Sequence, residues 1–327
     1  MILDLIAYGA FFLTTALTYA IMCLGLNVQW GQTGLFNVGV AGFVAVGAYV
    51  SALSTTPPLA GRFGGFGLPI VAGCLIAMVA SGACAGLVGA ITLRLRADYL
   101  AITTFGIATA IELVALNAQS LTGGPFGIGF IPRPFGTLAP SPMVFDSANL
   151  ALVAGVACLV FLAMERLARS PWGRVLRSIR EDDAAAASLG KNPNRYRLQA
   201  FALGGSLMGL AGALQAHLIG FIAPDNYLPA LTFQVWTMLI VGGAGSNAGA
   251  VVGAIVVWGL WSLSGLLTSL LLPGDQQARA ASLQIVAIGV MLVVILLVRP
   301  RGLLGGSFRR RPPPNDGGSE LDAGKLV

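Results

Sequence analysis

The chain has 327 residues, 56% of them hydrophobic and only 10% charged, with a mean hydropathy of +0.82. A soluble domain carries about 25% charged residues, so this composition excludes the soluble class and requires a membrane protein. The net charge of +6 does not indicate nucleic-acid binding, because the basic residues lie between apolar runs instead of covering a soluble face.

Runs long and apolar enough to cross a bilayer are expected at about 4–26, 33–53, 67–92, 98–117, 148–165, 198–219, 230–244, 248–272 and 281–298. The first run has no basic segment before it, since no Lys or Arg precedes Arg62. It is also longer than a signal-peptide core and reads as a retained span. The 33–53 and 230–244 segments are rich in glycine and could be short or broken helices, which membranes tolerate where they line a cavity or are buried by protein. The fold class is therefore all-α: a polytopic transmembrane helical bundle of about 8–10 spans, including short or broken Gly-rich helices.

Within the fourth run, Glu112 is an acid at membrane depth, where an ionisable group is read as functional by default. A structural hydrogen-bonding role and a place on a pathway are both open to it. The following stretch, LTGGPFGIGFIPRPFG, is dense in Gly and Pro and reads as a structured turn region. The 165–197 stretch carries eight cations: Arg166, Arg169, Arg174, Arg177, Arg180, Lys191, Arg195 and Arg197. Arg94 and Arg96 mark one further loop; Arg299, Arg301, Arg309, Arg310, Arg311 and Lys325 mark the tail. An even number of spans separates these regions, which places all of them in the cytoplasm, the N-terminus in the periplasm and the C-terminus inside. Residues 305–327 are polar and Pro/Gly-rich, and read as a disordered cytoplasmic tail after a 1–304 membrane domain; its arginines can touch anionic lipid heads.

Inside the charged stretch, Arg180, Glu181, Asp182, Asp183, Ala184, Ala185, Ala186, Ala187 and, after Ser188 and Leu189, Gly190 read as a small docking helix over 181–190. Acids suit the positive end of its dipole, and Gly190 followed by Asn192 and Pro193 stops it. His217, the only histidine, cannot build a metal site by itself and reads as packed or interfacial. Cys23, Cys74, Cys84 and Cys158 lie in apolar runs without metal-ligand spacing and read as small buried hydrophobes. Glycine numbers 44, and 204–214 places two small-residue stripes, Gly204/Met208/Gly212 and Gly205/Gly209/Ala213, at helical spacing. Gln32, Asn37, Gly39, Thr103, Thr104 and Glu112 are the candidates for lining a narrow path, a reading compatible with close helix packing.

These residues carry a resemblance. GLNVQWGQTGLFNVGVAGFVAVGAYVSA, LRLRADYLAITTFGIATAIELV, LTGGPFGI, RSIREDDAAAASLGKNPNRYRLQAFALGGSLMGLAGALQAH, GFIAPDNY and VGGAGSNAGAVVGA are similar, in order and spacing, to the permeases of branched-chain amino-acid ABC transporters, of the LivH/LivM kind and closer to LivM. The likeness covers about residues 10–304 and is most specific over 177–217. It implies an ABC importer permease in a bacterial inner membrane. Its partners would be a second, LivH-like permease subunit, two ABC ATPase subunits and a periplasmic substrate-binding protein. It implies that the 181–190 helix is the coupling helix that seats on the ATPase. It implies leucine, isoleucine and valine as substrates, with other amino acids, amides or urea as alternatives. The family's usual acid is Ala187 here, and its usual serine and histidine are Asn37 and Val40.

A P-loop of the GxxxxGK[ST] form is absent, so no cofactor is expected in this chain and ATP with magnesium would be bound by the partner ATPases. A secondary transporter or facilitative channel needs ion-coupling residues or a selectivity ring, and only Glu112 and a few amides offer themselves. An enzyme is not expected, since no paired acids, histidine cluster or nucleophile–base set occurs.

Overall fold

The computed structural model describes residues 2–58, 63–95, 97–136, 141–271, 286, 289–290, 293–294, 297 and 302–304. Its helices are α1 (Ile2–Leu26), α2 (Val40–Thr55), α3 (Ile70–Thr92), α4 (Ala97–Asn117), α5 (Gln119–Thr122), α6 (Pro142–Arg169), α7 (Pro171–Glu181), α8 (Asp183–Ser188), α9 (Pro193–Ile219), α10 (Pro229–Gly242) and α11 (Asn247–Leu271). Among the described residues, six helices are long and apolar enough to cross a membrane. Among the described residues the one β-bridge is an isolated pair, Ile128 with Ile222. The all-α polytopic bundle expected from the sequence is the observed fold. The run at 281–298 lies outside the described residues except for six positions, all helical, and 305–327 lies wholly outside them.

The bundle is organised around α9. Its Gly204/Met208/Gly212 stripe meets α1 and α2: a Cβ on Gly204 would strike the Gln29 side chain and Gly25 O at 2.6 Å, and one on Gly212 would strike the Val44 carbonyl. The Gly205/Gly209/Ala213 stripe turns to α3, where Cβ atoms on Gly205 and Gly209 would run into Ala85 and Ser81. Lipid supplies no hydrophobic drive for helix association, so backbone-to-backbone approach of this kind is what binds the core. Ser81 secures the crossing, because its hydroxyl lies 2.9 Å from Phe43 O on α2 and 2.8 Å from Gly205 O on α9. α10 and α11 close on each other in the same manner through Gly242, Gly249 and Gly253.

The other face of α3 carries Val71, Leu75, Val79, Leu87 and Ile91, all more than half exposed and spaced by four residues within each run. An apolar stripe of this kind is expected to face lipid or a membrane partner. Cys158 on α6 is exposed as well, which corrects the expectation that all four cysteines are buried; Cys23 is buried, and Cys74 and Cys84 are half-buried.

The glycine-rich segments form short helices: α2 has 16 residues and α10 has 14. At 1.5 Å per residue neither spans the roughly 30 Å hydrocarbon layer alone. α2 begins at Val40 rather than near 33, because the chain before it is unwound. The end of the bundle carrying α7 and α8 also holds this unwound segment and residues 302–304, where Leu303 and Leu304 donate to the Val241 and Gly242 carbonyls. The opposite end carries the 118–136 turns and the Ile128–Ile222 bridge.

Candidate functional site

Two neighbouring features at the α7–α8 end carry the sequence-predicted residues: the broken helix between α1 and α2, and the surface presented by α8.

At the break, α1 continues as one π-helical turn, Asn27–Gln32, and the chain then runs without regular secondary structure to Gly39. A π-turn inserts a residue into the helical ladder and is common at functional positions. Asn27 explains this one. Its Oδ1 accepts from Gly245 N at 2.7 Å, and its Nδ2 donates to Asn247 Oδ1 at 2.9 Å. Asn247 donates onward to Glu165 Oε2 at 2.9 Å, and Glu165 pairs with Arg169 at 2.7 Å. Gly31 is required beside Asn27, since any Cβ there would collide with the Asn27 amide oxygen.

This segment is held by side chains instead of by its own ladder. Asn37 donates to Gln29 Oε1 at 2.7 Å, accepts from Gly39 N at 2.8 Å, and offers its carbonyl to Trp236 Nε1 at 2.9 Å. Thr104 accepts from Val38 N, and Thr232 accepts from Ala41 N, both at 3.0 Å. Unwound backbone at membrane depth is tolerated only when its polar groups are satisfied in this way. Trp30, Phe36 and Trp236 pack over the break, with centroids 4.7 to 5.2 Å apart.

Gln32, Asn37, Gly39 and Thr104 are thus gathered at one place and buried. Thr103, on the neighbouring turn of α4, is half-buried and bonds to Tyr99 O. Glu112 is not brought to them. It lies about 12 Å further along α4, half-buried, and makes no hydrogen bond or ion pair with a described residue. The sequence reading missed Asn27, Gln29, Thr232, Trp236 and Asn247. The signal that could have found them is the presence of amides in otherwise apolar runs, where a polar group needs a partner.

The α8 surface departs in its bounds from the expected 181–190 helix. Glu181 ends α7, and Asp182 is a cap rather than a helical residue: its Oδ1 accepts from Ala185 N at 2.9 Å. The helix runs from Asp183 to Ser188 and stops at Gly190, whose φ of +76° suits glycine. Ala184, Ala185, Ala187 and Leu189 are exposed, and only Ala186 faces inward. Asp183 pairs with Arg197 of α9 at 3.2 Å. α7 anchors the platform by burying Leu176 and Ile179 while Arg177 donates to the Ala168 carbonyl at the end of α6.

Arg180 joins the two features. Its guanidinium donates to the Gly31 carbonyl in the π-turn, and its stem lies on Gly34, whose φ is +78°. Burial lowers the pKa of this guanidinium and the Glu181 carboxylate opposes the change, yet an arginine stays charged in either case.

His217 lies near the other end of the bundle and is buried, as a packed histidine is expected to be. Its Nδ1 faces the Pro132 carbonyl at 2.8 Å, so that nitrogen carries the proton, and Nε2 accepts from the Ser51 hydroxyl at 2.9 Å. Among the described residues, no group of three His, Cys, Asp or Glu side chains is placed to hold a metal ion.

Comparison with known proteins adds a family. The family model described as "Branched-chain amino acid transport system / permease component" matches residues 9–296. The high-affinity branched-chain amino acid transport system permease protein LivM of Salmonella typhimurium is 33% identical over 315 residues, covering 89% of this chain and 68% of its own. LivM of Escherichia coli is similar to the same extent. The permease protein LivH of Salmonella typhimurium is 25% identical over 299 residues, covering 89% of this chain and 92% of its own. No solved structure matches the chain.

Proposed function

The chain belongs to the branched-chain amino acid transport permease family, and on that premise we propose that it is one of two pore-forming subunits of an ATP-driven importer. It is a multi-pass membrane protein and a transport component rather than an enzyme. In the proposed assembly it pairs with a LivH-like permease. Two ABC ATPase subunits dock on the α7–α8 end, and a periplasmic binding protein delivers substrate at the opposite end. The α7–α8 end is then cytoplasmic and the N-terminus periplasmic, with residues 1–304 as the membrane domain and 305–327 as a cytoplasmic tail. ATP and magnesium are bound by the ATPases. Leucine, isoleucine and valine are the proposed substrates.

The observation that carries this reading is the α8 surface. Four small or apolar residues, Ala184, Ala185 and Ala187 on a short helix and Leu189 just after it, stand exposed at the charged end of a membrane bundle. Small side chains permit close approach of a partner groove, and Arg180, on α7 just before that helix, reaches the π-turn that follows α1. Closure of the ATPases would move α8 and bias the unwound segment between two arrangements, which is how a local displacement becomes alternating access.

The test is co-purification of the tagged chain in mild detergent from its native membrane. Recovery of an ATPase and a second permease is expected. Recovery of this chain alone, conducting solute into liposomes without ATP, would replace the importer by a facilitative transporter. Glu112 supplies a second check. Half-buried Glu112 makes no hydrogen bond or ion pair with a described residue. Glu112→Gln is therefore expected to leave ATP-driven uptake within about twofold of the parent, because the substitution breaks no contact among the described residues. Complete loss of uptake in a variant that still assembles would put Glu112 on the pathway.

A further inference from the structure

The π-turn is anchored by a short chain of amides that ends on a charge. Asn27, its first residue, is fully buried. Asn247, at the start of α11, is 4% exposed, and the Glu165 side chain near the end of α6 is 31% exposed. The chain therefore runs from the core of the bundle to its edge.

Each end of it sets a direction. The Gly245 N–H can only donate, so Asn27 must face it with Oδ1, at 2.7 Å. Nδ2 of Asn27 is then left to donate to Asn247 Oδ1 at 2.9 Å. At the other end an ionised carboxylate can only accept, so Asn247 must face Glu165 Oε2 with Nδ2, also at 2.9 Å. The two ends demand the same orientation of both amides. Arg169, one turn along α6, holds the other carboxylate oxygen, Oε1, at 2.7 Å and so fixes where the charge stands.

Without that charge one of the two constraints is gone. Asn247 could turn over and present Nδ2 to Asn27, whose own amide would have to turn in response. Asn27 Nδ2 would then meet the Gly245 N–H, donor against donor, and the bond between the π-turn and the α10–α11 turn would open. Both of the segments it joins are non-helical: Gly243 and Gly245 have φ of +109° and +91°. They also pass close to each other, since a Cβ on Gly31 would lie 2.6 Å from Gly245 N. In a poorly solvated site, amides aligned by one charge reinforce one another, and the group left unpaired is costly.

We propose that Glu165 is a positioning residue for the transport path: its carboxylate sets the direction of the Asn247 and Asn27 amides and through them fixes the π-turn against the α10–α11 turn. The proposal rests on the transport reading above and gives α6 a hold on the break. Arg180 takes the π-turn at the Gly31 carbonyl, whereas this relay takes it at Asn27, so the turn is held from two elements.

The test uses the complete transporter in vesicles and reads L-leucine uptake, ATP hydrolysed per leucine, and amide hydrogen exchange over residues 27–32. Glu165→Leu removes the charge and leaves both amides. It is expected to assemble, to lower uptake about tenfold at unchanged ATP hydrolysis and to speed exchange over 27–32 about tenfold, the size of one hydrogen bond to a charged group. Asn247→Asp at pH 8 sets two carboxylates against each other and should be at least as severe. Adding Glu165→Gln to it moves the charge one step inward and restores the pattern, because the new amide donates to the new carboxylate, which still accepts from Asn27. Uptake and exchange in that double variant should return to within about threefold of the parent, a coupling that independent sites would not show. Parental exchange with parental ATP per leucine in Glu165→Leu would overturn the proposal, as would a double variant no better than Asn247→Asp. Uptake that fell only with the amount of assembled transporter, or a Glu165→Leu chain that failed to assemble, would make Glu165 a folding contact and overturn it as well. Amide exchange needs no transport and so separates the two readings. Fast exchange in Glu165→Leu without ATP-driven uptake by the parent keeps the relay and removes the importer. Parental exchange in that variant, with ATP-driven uptake by the parent, removes the relay and leaves the importer.

Discussion

Ala185→Glu is expected to reduce ATP-driven uptake to background while the protein still inserts into the membrane at parental levels. Ala185 is exposed on α8, and its backbone N–H is already engaged by the Asp182 cap. Glutamate is a good helix former, so the substitution leaves α8 intact and acts on whatever covers it. A carboxylate pressed into a closely fitted interface without a partner costs about 3–5 kcal/mol, equivalent to more than a hundredfold loss of the docked state. Uptake, membrane abundance and the yield of co-purifying ATPase are the three measurements. Parental uptake would show that α8 docks nothing, whereas loss of uptake with retained ATPase would move the defect from docking to motion.

Gly47→Val is expected to be as severe, for a different reason. A Cβ at Gly47 would overlap the backbone of Gly209, at the crossing that Ser81 also bridges. Backbone cannot step aside as a flexible side chain can, so α2 and α9 would have to part. Overpacking typically costs about 1–3 kcal/mol, and more where backbone itself is in the way, so a cost of about 4 kcal/mol is expected, a large share of a usual folding stability of about 5–15 kcal/mol. Size-exclusion profiles in detergent should show aggregate in place of the monodisperse parent. Gly155→Ala is the matched control, because nothing lies within 4 Å of a Cβ there. Replacing a helical glycine by alanine in open space should be neutral or stabilising by up to about 1 kcal/mol. Equal stability of the Gly47→Val variant and its parent would contradict the glycine-mediated crossing.

The spans were legible because hydropathy is a local property. The short helix inside the charged stretch was legible because charge cannot stay in lipid, and its bounds shifted only because Asp182 caps α8 instead of joining it. α6 begins at Pro142, earlier than the expected 148, since Ser141 caps it and proline suits the first turn. The break before α2 was only partly legible. Glycines at 34 and 39 hint at it, yet what holds it open comes from Thr104, Thr232 and Trp236, between 66 and 199 residues away. His217 is similar: its place as a buried histidine was readable, but its partners Ser51 and Pro132 are 166 and 85 residues distant. For the same reason the two α9 stripes were visible as a pattern, while which helix each one meets was not.

The Arg180–Gly31 contact has a mechanical meaning. A continuous helix is stiff along its axis, and a push at its end is shared by every turn. Arg180 instead grips the chain at the π-helical turn that follows α1, next to a stretch that has no helical ladder of its own. In the proposed assembly, load applied to α8 would arrive at a section without a helical ladder, with the glycine-locked α2–α3–α9 block beside it. The Arg180 side chain would then be the link that transmits the displacement.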